Sequence, residues 1–132
     1  MGLFANPNPS AFVRSLPKAE LHLHLEGAIE PATLLEIQHS HGLTNSLADV
    51  QKLYQYSDFA SFLISFRDIT EHLKAPADYE LITYRLMQRL KTENILHAEV
   101  YISVGVCLFR KQDFATIFEG IAGAMYTGCH GI

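Results

Sequence analysis

Two histidine pairs give the sequence its clearest chemistry. The stretch "AELHLHLEGAIEP" places His22 and His24 two residues apart, and "HSH" repeats that spacing at His39 and His41. Imidazole is a common ligand for borderline cations, but the spacing means different things on different backbones. On a strand, residues two apart share a face, with Cβ atoms roughly 6 to 7 Å apart, so their rings can converge on one cation. In a helix the same spacing separates them by about 200° around the axis, and metal pairs use three or four residues instead. Residues 19–26 alternate, with Leu21, Leu23 and Leu25 against Glu20, His22, His24 and Glu26, which is the period of a strand. His39 and His41 fall at the end of a helix predicted from Pro31 through Leu34, Leu35 and Ile37 to Gly42, so they diverge. Two imidazoles make only part of a zinc site, which commonly has four ligands. Without others, such a pair is an ordinary polar strand face. Its setting favours a site: Glu20 and Glu26 share the histidine face, and Gly27 ends the strand, where parallel barrels gather their chemistry.

The elements that must position this pair follow from periodicity. Residues 1–15 read as an N-terminal arm, and residues 16–132 as one partial domain. "TNSLADVQKLYQYS" reads as a loop, after which Ser57 or Asp58 caps a helix with Phe59, Phe62, Leu63, Phe66, Ile69 and Leu73 at spacings of three and four. Of these, Phe59, Ile69 and Leu73 are the expected core. Pro76 and Asp78 open a further helix carrying Tyr79, Ile82, Leu86 and Leu90. A second strand follows in "ILHAEVYISV", where Leu96, Ala98, Val100 and Ile102 alternate with His97, Glu99, Tyr101 and Ser103. Asp113 then caps an amphipathic stretch through Phe114, Ile117, Phe118 and Ile121. The final "GAMYTGCHGI" is Gly-rich and stops without a third strand, which reads as a truncation, an alternative end or an artificial boundary.

Strands separated by long helical segments indicate an α/β fold with a parallel sheet and crossover helices. A closed parallel barrel takes about 250 residues and eight strands, so this chain supplies about a quarter of the strands. The 132 residues are 48% hydrophobic, enough for a globular core, and a net charge of −4 argues against nucleic acid as a partner. No apolar run approaches the ~18 residues of a membrane span, and no basic region followed by an apolar core opens the chain. Two cysteines, Cys107 and Cys129, in no metal or redox spacing, fit a cytoplasmic protein. The oligomeric state is left open.

The run "SLPKAELHLHLEGAIEPATLLEI" closely resembles the opening of the adenosine deaminase family, within the metal-dependent amidohydrolase superfamily, whose first strand has the form PKxELHxHLxG. The similarity extends from about Phe12 to Phe118 and includes the helix bearing Phe62, Leu63 and Phe66 and the strand "AEVYIS". The resemblance implies the N-terminal portion of a TIM-type (β/α)8 barrel: its first two strands with the helices between them.

It also implies roles. His22 and His24 match the family's two histidine ligands of the catalytic metal, usually zinc, with iron also suited to imidazole and carboxylate. Glu26 matches the acidic residue that contacts the substrate's sugar in adenosine deaminases; many of those have Asp here, whereas Glu occurs in relatives acting on adenine or aminofutalosine. Gly27 permits a sharp turn and close approach to a ligand. Phe62, Leu63 and Phe66 match the apolar helix at the pocket mouth, where an aromatic wall suits a flat purine. Glu99 is read as a hydrogen-bonding support for the histidines. The implied reaction is hydrolytic deamination of a small, adenosine-like 6-aminopurine by metal-activated water, with release of ammonia. The alternatives are an adenine or aminofutalosine-type deaminase, another amidohydrolase, or an inactive fragment. The family's third histidine, metal-binding aspartate, proton-donating glutamate and water-orienting histidine come from later strands. No catalytic residue in that sense lies within this chain, which is expected to be inactive alone.

Overall fold

The computed structural model describes residues 10–130, so most of the arm at 1–15 lies outside the described residues. Short helix α1 (Ala11–Ser15) leads into strand β1 (Lys18–His24), and a single 3-10 turn (Glu26–Ala28) ends it. Four helices follow: α2 (Pro31–Ser40), α3 (Leu47–Lys52), α4 (Phe59–Thr70) and α5 (Pro76–Thr92). Strand β2 (Ile95–Tyr101) then lies parallel beside β1, and α6 (Val104–Phe109) and α7 (Phe114–His130) close the order. The parallel pair joined by crossover helices is the expected arrangement.

Helix starts follow local chemistry. Pro31 and Pro76 occupy first-turn positions, where a missing N–H costs nothing. Asp58 accepts the Ser61 N–H at 2.7 Å and caps α4. Asp78 reaches back to accept the Lys74 and Ala75 N–H groups, each at 2.9 Å, and holds the first turn of α5. Two helices escaped the sequence reading. The segment taken as a loop contains α3, signalled by the capping box of Ser46 and Asp49, and α6 follows β2 directly. The Gly-rich end is also helical as far as His130, because Gly128 lets α7 lie against α5: a Cβ there would stand 2.4 Å from Met87 Cβ.

The core lies between these helices and one face of the sheet. Leu34 and Ile37 of α2, Tyr79, Ile82 and Leu86 of α5, and Ile117 and Ile121 of α7 are all buried, as the periodicity predicts. Burial of each such side chain stabilises the fold by about 1.5–3 kcal/mol. Strand alternation holds less well. The β1–β2 pairing shifts register between Lys18 and Ala19, where Leu96 is the extra residue, and again between Glu20 and Leu23, where β1 takes three steps to two in β2. These bulges turn out two leucines assigned to the apolar faces: Leu21 is 61% exposed and Leu96 74%. On α4, Ile69 is buried, as is Leu73 just beyond it, but Phe59 is 73% exposed and is not core. It sits in the first turn of α4. Phe118 on α7 is likewise half-exposed.

Candidate metal centre

His22 and His24 end β1 with both rings on one side. Their Nε2 atoms are 3.2 Å apart, and their ring planes meet at 67°. Two imidazole nitrogens bound to one zinc at its usual bond length and tetrahedral angle are separated by about 3.3 Å, so the pair is spaced to share a cation. Among the described residues, no group of three or more His, Cys, Asp or Glu side chains is placed to hold a metal. This chain therefore brings two donors together, and a complete centre requires more.

The other pair separates, as helix geometry requires. His39 Nε2 meets the Asn45 carbonyl oxygen at 2.8 Å, while His41 Nε2 meets Asp78 Oδ2 at 2.8 Å, so the two rings engage different partners. His72 accepts from the buried Gln38 amide at 3.2 Å. Burial first, then the charge of Lys74, holds its imidazole below the ordinary histidine range.

Glu26 departs from its expected place. The strand stops at His24, and the 3-10 turn carries Glu26 off the histidine face into the interior, where it is 3% exposed. Its Oε1 accepts the Ser103 N–H at 2.8 Å, tying the turn after β1 to the residues after β2. Its Oε2 is buried with no hydrogen-bond partner among the described residues. Beneath it lies a polar cluster: the Tyr79 hydroxyl donates to Gln112 Oε1 at 3.3 Å, and Gln112 Nε2 donates to the Leu73 carbonyl at 2.7 Å. Burial chiefly, with the neighbouring Cys107 next and the Glu26 charge as a smaller cause, pushes the Tyr79 phenol well above its usual range.

Gly27 is exposed beside His24. A Cβ there would stand 3.5 Å from His24 Cβ and 3.8 Å from Phe66 Cε2, both ordinary contacts, so the protein alone does not demand glycine. These distances place Phe66 at the edge of the histidine site. From it an aromatic row runs outward: Phe66 to Phe62 at 6.3 Å, then Phe62 to Tyr56 at 5.1 Å and to Phe59 at 6.2 Å. Leu63 is half-exposed on the same helix, but no described contact links it to the histidines.

Glu99 does not support the pair. Its carboxylate lies 3.6 Å from His97 Nε2 on the exposed strand surface, opposite the irregular stretch between Glu20 and Leu23. Tyr101 takes the neighbouring place instead, with its ring 4.6 Å from that of His22. Neither Tyr101 nor Ser103 was singled out from sequence, although both share the alternation of Glu99.

The profile of the adenosine deaminase family matches residues 17–132. Among curated proteins, the chain is 30% identical to an adenine deaminase of Vibrio parahaemolyticus over 90% of its own length and 36% of the relative's. It is 32% identical to an adenine deaminase of Caulobacter vibrioides over 92% and 36%. Among solved structures it superposes on adenine deaminase from Arthrobacter aurescens with a TM-score of 0.76 and 25% identity, covering 85% of this chain and 35% of that one. An Arabidopsis ADAL chain complexed with GMP gives 0.70 at 22% identity, covering 92% and 37%, a likeness of fold. The chain thus spans about a third of the length of the relatives it matches. Its two parallel strands and intervening helices form the N-terminal portion of their (β/α)8 barrel. By the strand motif, the fold and the matched profile, this chain belongs to the adenosine deaminase family.

Proposed function

We propose that this chain contributes the first part of the active site of a 6-aminopurine deaminase, with His22 and His24 as two ligands of a divalent metal, zinc or iron. The observation that carries the reading is the 3.2 Å separation of their Nε2 atoms at the C-terminal end of a barrel strand. The metal, when bound, supplies an activated water for attack on the amino-bearing carbon, with release of ammonia.

The chain's own residues hold and orient. Each imidazole would offer its Nε2 lone pair to the metal, which requires its proton to sit on Nδ1. Phe66 and Phe62 offer ring faces along which a purine stacks, beginning at the edge of the histidine pair. Gly27 leaves room beside His24 for a ligand to approach. The unpartnered Glu26 Oε2 is an acceptor that a donor on the substrate would satisfy. Among 6-aminopurines, the relatives named adenine deaminase favour the free base. The remaining ligands and proton-transfer groups would come from later strands. A groove of about 450 Å³ beside β2, lined in part by Met87, Leu96, Val100 and Met125, leaves apolar surface for them to cover.

A hybrid barrel tests this reading. Residues 17–132 would replace the matching third of the Arthrobacter aurescens adenine deaminase. The hybrid should release ammonia from adenine, and His22→Ala or His24→Ala should abolish that activity. A folded hybrid that carries metal but leaves adenine, adenosine and AMP untouched would refute it.

A further inference from the structure

The two histidines share a third ring. Tyr101 is the last residue of β2 and pairs with His24 across the strands. Its ring centroid lies 4.6 Å from that of His22, with planes tilted by 34°, and 5.8 Å from that of His24, tilted by 33°. Its carbonyl oxygen accepts the Leu25 N–H at 2.9 Å. One residue thus holds the pair twice, by its main chain just after His24 and by its ring against His22.

This support is needed for two reasons. His22 lies at the register shift between Glu20 and Leu23, where the ladder is interrupted and the backbone alone fixes its direction less firmly. In addition, metal-binding histidines are normally oriented through the second ring nitrogen by a carboxylate or carbonyl. Among the described residues, the Nδ1 atoms of His22 and His24 have no such partner, and their recorded side-chain hydrogen bond is to each other. The Tyr101 hydroxyl likewise makes no hydrogen bond among the described residues, so the side chain's hold on the pair comes from its ring.

We propose that Tyr101 is a positioning residue for the His22–His24 pair: its aromatic ring, not its hydroxyl, keeps the two Nε2 atoms at metal-bridging separation. The proposal rests on the reading of these histidines as metal ligands. The test is Co²⁺ titration of the 132-residue chain, followed by the cobalt absorption band and by the histidine ring signals in NMR. His22→Ala should remove binding at this site. Tyr101→Phe should bind within about twofold of wild type, while Tyr101→Leu and Tyr101→Ala should weaken binding by about tenfold, the size of effect seen when a ligand's supporting group is removed. In the metal-free protein, both non-aromatic variants should also lose the ring-current shift on the His22 signals. Leu retains apolar bulk at the strand end, so a loss shared with Ala marks the missing ring and not a folding defect. Wild-type binding in the folded Leu variant with unchanged His22 signals would overturn the proposal, as would a Phe variant as weak as Ala. A wild-type chain whose Co²⁺ binding is absent or indifferent to His22→Ala would instead remove the metal reading, and this proposal with it.

Discussion

Glu26 offers a perturbation whose sign depends on its burial. The carboxylate is 3% exposed, with one oxygen bonded to the Ser103 N–H at 2.8 Å and the other without a partner among the described residues. Glu26→Gln keeps a carbonyl oxygen for the Ser103 N–H. A charged acceptor contributes about 1.5–3 kcal/mol and a neutral one about 0.5–1.5, so the exchange costs about 1 kcal/mol. Against this, a buried carboxylate carries a desolvation penalty of several kcal/mol that a single N–H offsets only in part. The relief still exceeds the sum of that loss and the cost, about 1–3 kcal/mol, of a Gln amide left without an acceptor at the Oε2 position, so Glu26→Gln should stabilise the chain by about 1 kcal/mol, or about 3 to 5 °C in Tm. Glu26→Ala relieves the same charge but leaves the Ser103 N–H unpaired and opens a small void. It should fall about 2–3 kcal/mol below Glu26→Gln. Urea unfolding followed by circular dichroism, with equal slopes across the three proteins, reads these differences. A Glu26→Gln chain less stable than wild type would refute the reasoning, because it would mean that the charge is compensated.

Other perturbations have equally definite signs. Asp78→Ala frees the Lys74 and Ala75 N–H groups and strips His41 of its partner, so it should cost about 2–3 kcal/mol in urea unfolding. Gly128→Ala forces a Cβ to within 2.4 Å of Met87 Cβ and should destabilise the α5–α7 contact by about 1–3 kcal/mol; because alanine keeps that Cβ, only Met87→Gly in the same chain should show a favourable coupling with it in a double-mutant cycle. Acid should act through the helix caps. The Ser46 hydroxyl draws the Asp49 carboxyl down to about 2, and Ser61 and Thr116 hold those of Asp58 and Asp113 below the usual range in the same way. Because these folded values are depressed, the unfolded chain takes up protons first as pH falls. Their stabilisation is therefore complete above about pH 4 and lost as pH drops toward 2. Thermal melts across that interval should show the decline, and Asp49→Asn should flatten part of it.

The features legible in the sequence were those with a strong local period or a local chemical cause. Tyr79, Ile82 and Leu86 repeat at helical spacing and are buried. The strand setting of His22 and His24 and the helix-end setting of His39 and His41 also followed from sequence, because each depends only on the backbone beneath it. What escaped depends on pairing between distant segments. No periodicity shows where β1 and β2 slip register, so Leu21 and Leu96 were assigned to buried faces, and Glu99 was given the place that Tyr101 holds. Glu26 was misplaced because a single 3-10 turn ends the alternation two residues early. The Gly-rich end hid a helix, since the need for Gly128 arises from Met87, far away in sequence.

The central claim is that His22 and His24 are spaced to share one metal ion, and anomalous diffraction from crystals of the chain grown with Zn²⁺ tests it most directly. The account predicts a peak bridging the two Nε2 atoms, about 2.0–2.1 Å from each, that disappears in His24→Ala. Zinc found only at His39, His41 or other surface histidines, with the His22–His24 pair still joined by its direct 3.2 Å contact, would contradict it.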